Sequence, residues 1–583
     1  MPNETAPTAH PARRPGVPRR RRAGVLDRPD EWNVLVTATS TPRTPWRTRI
    51  VRASVRAAFA LVAAALLAAP FGLAWYLHVR GLQVSEQFYT PASSLAADQD
   101  ALAETLRSEL PDRAAPVVLA YHDIRPMTAT EDQPDPAADP RHHLVVTPEA
   151  FDAQLTALRA AGYTSITSDQ YVDYLAGGEV PERSVLLTFD DGTHGLWTYA
   201  DKILERHGMH AVSFLITGNV GAKRPYYLSW QEIERMADSG RWDFQSHTRK
   251  MHARLPIDAA GTLASEMTHR RWLFEKNRPE TLDEFEGKIR TDLLASVQDI
   301  VDHGLPRPTL FAFPFSDGYD DDRASSDPQA AATALTVVRE IFAGAFNNAP
   351  PQPLPAGARA AAVGMTGRIE LTVDSTVEGL LESVRAKTPV APGHAAPSRR
   401  PDLWTRLSDD TEAPLRIQGR GVRFDGPGRW SGAAYGREAT ADWASYTATV
   451  TVGGLAARGV ENGALIARVG TGEEVSVQVS AKYARVSVGL GPAWKVLRDL
   501  PLRPGDRHTV TMEVSPTAIG VVVDGSARMS VPAGGGPAEY GGIGLSSSRT
   551  TEAAPWPVFT DLSVAPGRDV PNVKAGVGVP TRS

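Results

Sequence analysis

The chain has 583 residues, 42% of them hydrophobic and 22% charged, which is too long for one ordinary core and too apolar for a disordered protein. Cysteine is absent, so disulfides, thiolate metal sites and cysteine nucleophiles are excluded together. The net charge of -5 is uneven: residues 1–56 hold twelve arginines, no lysine and four acids, a net +8 that leaves -13 for the rest. A basic tail of this kind suits nucleic acid or a membrane surface, and the segment that follows favours the membrane.

Ala57 to Val79 contains no Asp, Glu, Lys or Arg. A helix of that length reaches about 34 Å, enough to cross a hydrocarbon layer of ~30 Å. Trp75, Tyr76 and His78 lie at one end, and Arg47, Arg49, Arg52 and Arg56 crowd the other. The positive-inside rule predicts a single-pass transmembrane helix over 57–79 with a cytoplasmic N-terminus and everything beyond Arg80 outside the cell. A cleaved signal peptide fits less well, because 56 residues precede the apolar run. Residues 80–113 read as a stalk, in which Leu102, Leu106 and Leu110 mark a short amphipathic helix.

Between 114 and 386, apolar strand-like runs such as Val117–Tyr121, Ser184–Phe189 and Leu310–Phe315 alternate with helical patterns. Thr147 and Pro148 open one helix, Phe151, Leu155 and Leu158 form its buried face, and Gly162 ends it. This alternation predicts an α/β domain built on a parallel sheet or barrel, with its site at the strand C-terminal ends. Residues 387–402 are a Pro/Ala-rich linker. From 403 to 566 the hydrophobic period becomes two: Val475, Val477 and Val479 alternate with polar residues, and Val523-Asp524-Gly525 signals a hairpin. That pattern predicts an all-β sandwich, with 567–583 left as a tail.

Four segments carry chemistry. Thr188-Phe189-Asp190-Asp191-Gly192 ends an apolar strand with two carboxylates, which repel unless a cation or a proton intervenes. An Asp-Gly hairpin is the competing reading, but a helical pattern follows instead of a returning strand. His247 and His252 are five apart, a spacing that points to different faces on a helix, whereas a loop is able to bring both to one ion. Two histidines and one carboxylate, here Asp191, form a common open ligand set for a divalent metal. Tyr121-His122-Asp123 ends another apolar strand, where a structural histidine is an equal alternative. Phe311-Ala312-Phe313-Pro314-Phe315-Ser316-Asp317-Gly318 is a strand closing on an aromatic-proline turn.

Together these four segments resemble the polysaccharide deacetylases, the family with the NodB-homology domain also called carbohydrate esterase family four. The five-residue histidine spacing, the early Tyr-His-Asp strand and the absence of a late Leu-x-x-His motif look most like the subgroup acting on poly-β-1,6-N-acetylglucosamine. The resemblance implies a distorted β/α barrel. It implies Asp190 as general base, Asp191, His247 and His252 as ligands of a divalent metal (zinc, or cobalt, nickel or iron), His122 as general acid and the Phe315 backbone N–H as oxyanion donor. One departure stands out: Ala312 replaces the Arg that tethers the base in many members, leaving Asp190 without a named partner. The sandwich resembles concanavalin or laminin-G jelly rolls, and Trp430, Trp443, Tyr483 and Trp494 either stack on sugar rings or, as expected of aromatics, fill its core.

The reading that follows is a membrane-anchored, extracytoplasmic, metal-dependent N-deacetylase of an exopolysaccharide. Its expected partners are the acetylated polymer, the membrane and polysaccharide synthase machinery, and not nucleic acid. A deacetylase of peptidoglycan or chitin oligomers is the alternative, and a non-catalytic polysaccharide-binding adaptor is the alternative of another class.

Overall fold

A computed structural model describes residues 46–87, 95–109, 115–127, 140–222, 226–316, 327–348, 360, 364–407, 414–419, 421–456, 461–470, 473–490, 493–533 and 540–567. The basic tail before Trp46, Leu110, Asp317, Gly318 and the tail beyond Gly567 lie outside the described residues. The chain divides into two compact units, residues 1–80 and 81–583. Helix α1 (Trp46–Gln87) contains Ser54–Tyr76, an exposed stretch of 23 residues with mean hydropathy 2.2, long and apolar enough to cross a membrane.

The second unit opens with helix α2 (Ala97–Glu109) and continues into a closed barrel of seven parallel strands. These are β1 (Val117–Tyr121), β2 (Ser184–Phe189), β3 (Ala211–Leu215), β4 (Trp242–Ser246), β5 (Leu310–Ala312), β6 (Gly344–Asn348) and β7 (Met365–Glu370). Each strand pairs with the next in sequence, and β7 returns to β1 with Ala120 opposite Glu370. All residues of β1, β2 and β3 are buried, as expected of parallel strands with helices outside and packed side chains inside. The predicted barrel is therefore present, and its closure brings seven strand ends to one mouth.

The helices begin where the capping chemistry places them. Thr147 Oγ1 accepts from Ala150 N at 3.2 Å to start α3 (Pro148–Ala160). The Thr281/Glu284 capping box starts α4 (Leu282–Asp302). Helix α2, expected in a stalk, lies against α3 and against Val377–Lys387, and it buries Ala103 and Leu106 in the barrel's hydrophobic core. The amphipathic pattern of residues 97–109 thus covers the barrel.

The C-terminal region forms two seven-stranded antiparallel sheets around a common core that includes Tyr446, Val450, Leu465, Val477 and Phe559. The Asp524-Gly525 hairpin is present, with φ of 50° and 69° at those residues and Val523 opposite Ala527. The Pro/Ala-rich linker is docked on this region: Val390 N donates to Ala439 O at 2.8 Å, and Trp443 Nε1 donates to Val390 O at 2.5 Å.

Leu106 is fully buried. Leu106→Ala is expected to lower the unfolding free energy of the barrel by about 2–4 kcal/mol. Urea denaturation checks this, and a change under ~0.5 kcal/mol would mean that α2 is detached in solution.

Candidate active site at the barrel mouth

Strand β2 ends at Phe189, and the backbone then turns sharply. Asp191 has φ 70° and Gly192 φ 74°. A Cβ at Gly192 would stand 2.7 Å from Leu215 Cδ2, so the turn requires glycine. The two adjacent aspartates consequently take different surroundings.

Asp190 points into the barrel, where it is 2% exposed. Arg368 of β7 reaches it with both arms: Nη1 donates to Oδ1 at 2.8 Å and Nη2 to Oδ2 at 2.6 Å. Nη1 also lies 3.2 Å from Thr188 Oγ1, and Nε donates to Asn348 Oδ1 at 2.7 Å. Burial works to raise the Asp190 pKa. The Arg368 guanidinium, with His247 and His122 close by, more than offsets it and holds the carboxyl well below the usual carboxylate range. His122, at the end of β1, places Nε2 3.9 Å from Asp190 Oδ2, and its Nδ1 is buried without a hydrogen-bond partner.

Asp191 faces the histidines. Its Oδ1 lies 3.5 Å from His247 Nε2 and 3.4 Å from His252 Nε2, and one ligand atom from each of the three residues falls within 4.8 Å of the others. His247 Nδ1 bonds Ala312 O at 2.7 Å, which leaves Nε2 as the nitrogen facing Asp191. Burial pushes the His247 pKa down to about 4, so the ring is neutral at neutral pH. Asp191 Oδ1 is buried and has no hydrogen-bond partner. A neutral imidazole nitrogen and an unsatisfied carboxylate oxygen facing one another fit a divalent cation better than any protein donor present.

The five-residue histidine spacing works because the segment is a pinned loop. On α4, Asp292 accepts from Arg249 N at 2.8 Å and from Lys250 N at 3.0 Å, and Asp299 accepts from Arg249 Nε at 2.8 Å. Thr248, between the two arms, adopts φ 73°. Phe315 is a further non-glycine residue with a left-handed backbone, φ 59°. Its ring lies 4.7 Å from that of His252, with the Arg254 guanidinium 4.8 Å from its centroid. Asp191, Thr248 and Phe315 thus place three costly backbone conformations around one mouth, a usual sign of function. Beside them an open cavity of about 210 Å³ is lined by His122, Arg125, His142, Asp191 and Tyr226, among others.

The structure therefore brings Asp190, Asp191, His122, His247, His252 and Phe315 to one mouth. Sequence reasoning missed Arg368, the partner that Ala312 does not supply. The signal was an arginine inside the strand Met365–Glu370, where a buried guanidinium requires a carboxylate.

Residues 177–334 match the model of the polysaccharide deacetylase family. The poly-β-1,6-N-acetyl-D-glucosamine N-deacetylase of Staphylococcus epidermidis is 28% identical over 169 residues, covering 28% of this chain and 57% of that protein. The enzyme of the same name from Escherichia coli is 27% identical over 215 residues, covering 34% of this chain and 30% of that protein. Among solved structures, a de-N-acetylase from Aggregatibacter actinomycetemcomitans is 18% identical, with a TM-score of 0.38 over 45% of this chain and 97% of that one. The chain carries a polysaccharide deacetylase domain, and it spans little more than half of the first relative and under a third of the second.

Arg368→Met strands a buried carboxylate, at an expected cost of about 3–5 kcal/mol at pH 7. Asp190 has a depressed folded pKa, so its pairing stabilises the wild type above the unfolded carboxyl value near ~4 and is lost only as pH falls through the lower folded value. In the variant, burial raises that pKa, and protonation relieves the cost as pH falls. Chemical denaturation at pH 7 and pH 4 is expected to show the smaller loss at pH 4, and equal losses would contradict the assignment.

Proposed function

We propose that the chain is a membrane-anchored, extracytoplasmic, metal-dependent N-deacetylase acting on N-acetylglucosamine residues of a β-1,6-linked exopolysaccharide. The observation that carries this reading is the division of labour between two neighbouring aspartates. One is held ionised by Arg368, and the other faces two histidines with an unsatisfied oxygen.

Asp191, His247 and His252 would hold a divalent ion, zinc or cobalt, nickel or iron, and that ion would supply Lewis-acid polarisation and a lowered pKa for water. Asp190 acts as the general base and takes the proton from the water that attacks the acetyl carbonyl. Arg368 keeps Asp190 ionised and fixes its orientation. The Phe315 N–H donates to the developing oxyanion. His122, close to Asp190, protonates the leaving amine. The amide C–N bond breaks, and the products are acetate and a free amino sugar.

The substrate assignment draws on the printed activity of the two relatives and on the five-residue histidine spacing. The membrane assignment draws on Ser54–Tyr76 and the arginines that precede it, which favour a cytoplasmic N-terminus and an extracellular barrel and sandwich. A polymer made at the same membrane places synthase machinery among the expected partners.

The test is acetate release from β-1,6-linked N-acetylglucosamine oligomers by chain stripped of metal and resupplied with Zn²⁺, Co²⁺ or Ni²⁺. Asp191→Ala is expected to lose bound metal and turnover together. Asp190→Asn is expected to keep the metal and lose about 10²–10⁴-fold in kcat. Full activity in Asp190→Asn would refute the base assignment.

A further inference from the structure

The C-terminal sheets carry an aromatic feature that the barrel chemistry does not use. Of the four aromatics considered in the sequence, Trp443 is buried, as expected of a core residue, whereas Trp430, Tyr483 and Trp494 are 42%, 39% and 49% exposed. The strand registers place two of them at opposite ends of one row. Trp430 lies opposite Ser548, and Ser548 opposite Asn462. Gly463 is opposite Val479, and Val479 opposite Ala484, so Asn462, Ser480 and Tyr483 continue the same row on the same face. Ser480 N donates to Tyr483 O at 2.9 Å, which confirms that step. Ala433, Leu465, Val477 and Val486 point the other way, into the core between the sheets. Four strand-to-strand steps at ~4.8 Å set the two backbone positions about 19 Å apart.

The rings are held differently but both stay open to one side. A Cβ at Gly432 would stand 3.3 Å from Trp430 Cζ2 and Cη2, so the indole lies along its own strand over a glycine. Tyr483 has the Arg485 guanidinium 5.7 Å from its centroid, and Arg485 is paired with Asp499 at 2.8 and 2.9 Å. Between the rings the floor offers the Ser548 hydroxyl and the Asn462 amide, with Gln478 Nε2 donating to Asn462 Oδ1 at 2.7 Å, while Ser480 is buried and its Oγ donates to Tyr483 O. A protein interface would be apolar at its centre and polar at its rim, and this row is the reverse. Two aromatic faces separated by neutral polar groups match a chain that offers apolar C–H faces at intervals and hydroxyl or acetamido groups between them, which is a polysaccharide.

We propose that this row binds the uncharged hexosamine polymer on which the barrel acts, as a second site on the same chain. The identity of the polymer rests on the deacetylase reading, whereas the row's preference for a neutral glycan rests on its own chemistry. A second site raises the effective concentration of a long polymer at the barrel, and it does nothing for an oligomer too short to span both.

The experiment uses the full chain in detergent with poly-β-1,6-N-acetylglucosamine and its trimer as probes. It compares wild type, Trp430→Ala/Tyr483→Ala, Trp430→Tyr and Asp190→Asn, after unfolding curves have shown that all are folded. Co-sedimentation measures retention on the polymer, and acetate release measures turnover. The double variant is expected to lose at least about tenfold in retention and to raise KM on the polymer by a similar factor, with kcat and turnover of the trimer unchanged. Trp430→Tyr, which keeps a ring, should retain most of the binding. Asp190→Asn should bind as wild type without turnover. Equal retention by wild type and double variant, or retention by neither, overturns the proposal. Retention that depends on Trp430 and Tyr483 in a wild type that releases no acetate would uphold the row and refute the deacetylase reading, so the two fail separately.

Discussion

Arg368 and Asp190 form an ion pair whose side chains are 1% and 3% exposed, and the chemistry of the barrel mouth is arranged around it. Two carboxylates in succession at the end of a buried strand repel each other and lose hydration together. The guanidinium meets one of them in a two-armed contact and leaves the other to face His247 and His252. A buried pair of this kind adds little net stability, because desolvation cancels much of its attraction. Its consequence is specificity of charge: one aspartate is held ionised, and its neighbour keeps an unsatisfied oxygen facing two histidines.

The barrel makes that contact available because strand order in space follows strand order in sequence. β2 carries the aspartates and β7 carries the arginine, and closure of the ring through β1 brings them within hydrogen-bond reach across the interior. The third element is the loop after β4. Its backbone N–H groups are tied to Asp292, so His247 and His252 converge without a helix between them. The site is therefore assembled from strand ends, with Asp190 held by Arg368 and His247 by the Ala312 carbonyl, each on another element. This is the usual way in which a catalytic geometry is kept rigid.

Much of this was legible in the sequence, and the reasons are local. The run Ser184–Phe189 followed by Asp-Asp-Gly and a helical pattern announces a buried strand that ends in two carboxylates at a strand-to-helix junction. Thr147-Pro148 announces a helix start for the same kind of local reason. What was not legible depends on contacts between distant segments. Arg368 lies 178 residues from Asp190, and no local pattern links them. The α2 helix has an amphipathic pattern that suits a stalk or a packed layer equally, and only the partner surface decides. The exposure of Trp430 and Tyr483 follows from register across the sheet, and the burial of Trp443 from a segment between two strands; a composition of aromatics encodes neither.

The account stands or falls on the convergence of Asp191, His247 and His252 on one ion. The most direct test is calorimetric titration of Zn²⁺ into metal-free full-length chain, beside Asp191→Ala, His247→Ala and His252→Ala proteins of verified fold. The account predicts one tight site per wild-type chain and the loss of at least about tenfold in affinity in each variant, since each removes one ligand of three. Undiminished binding in any two of the variants would place the metal elsewhere and contradict it.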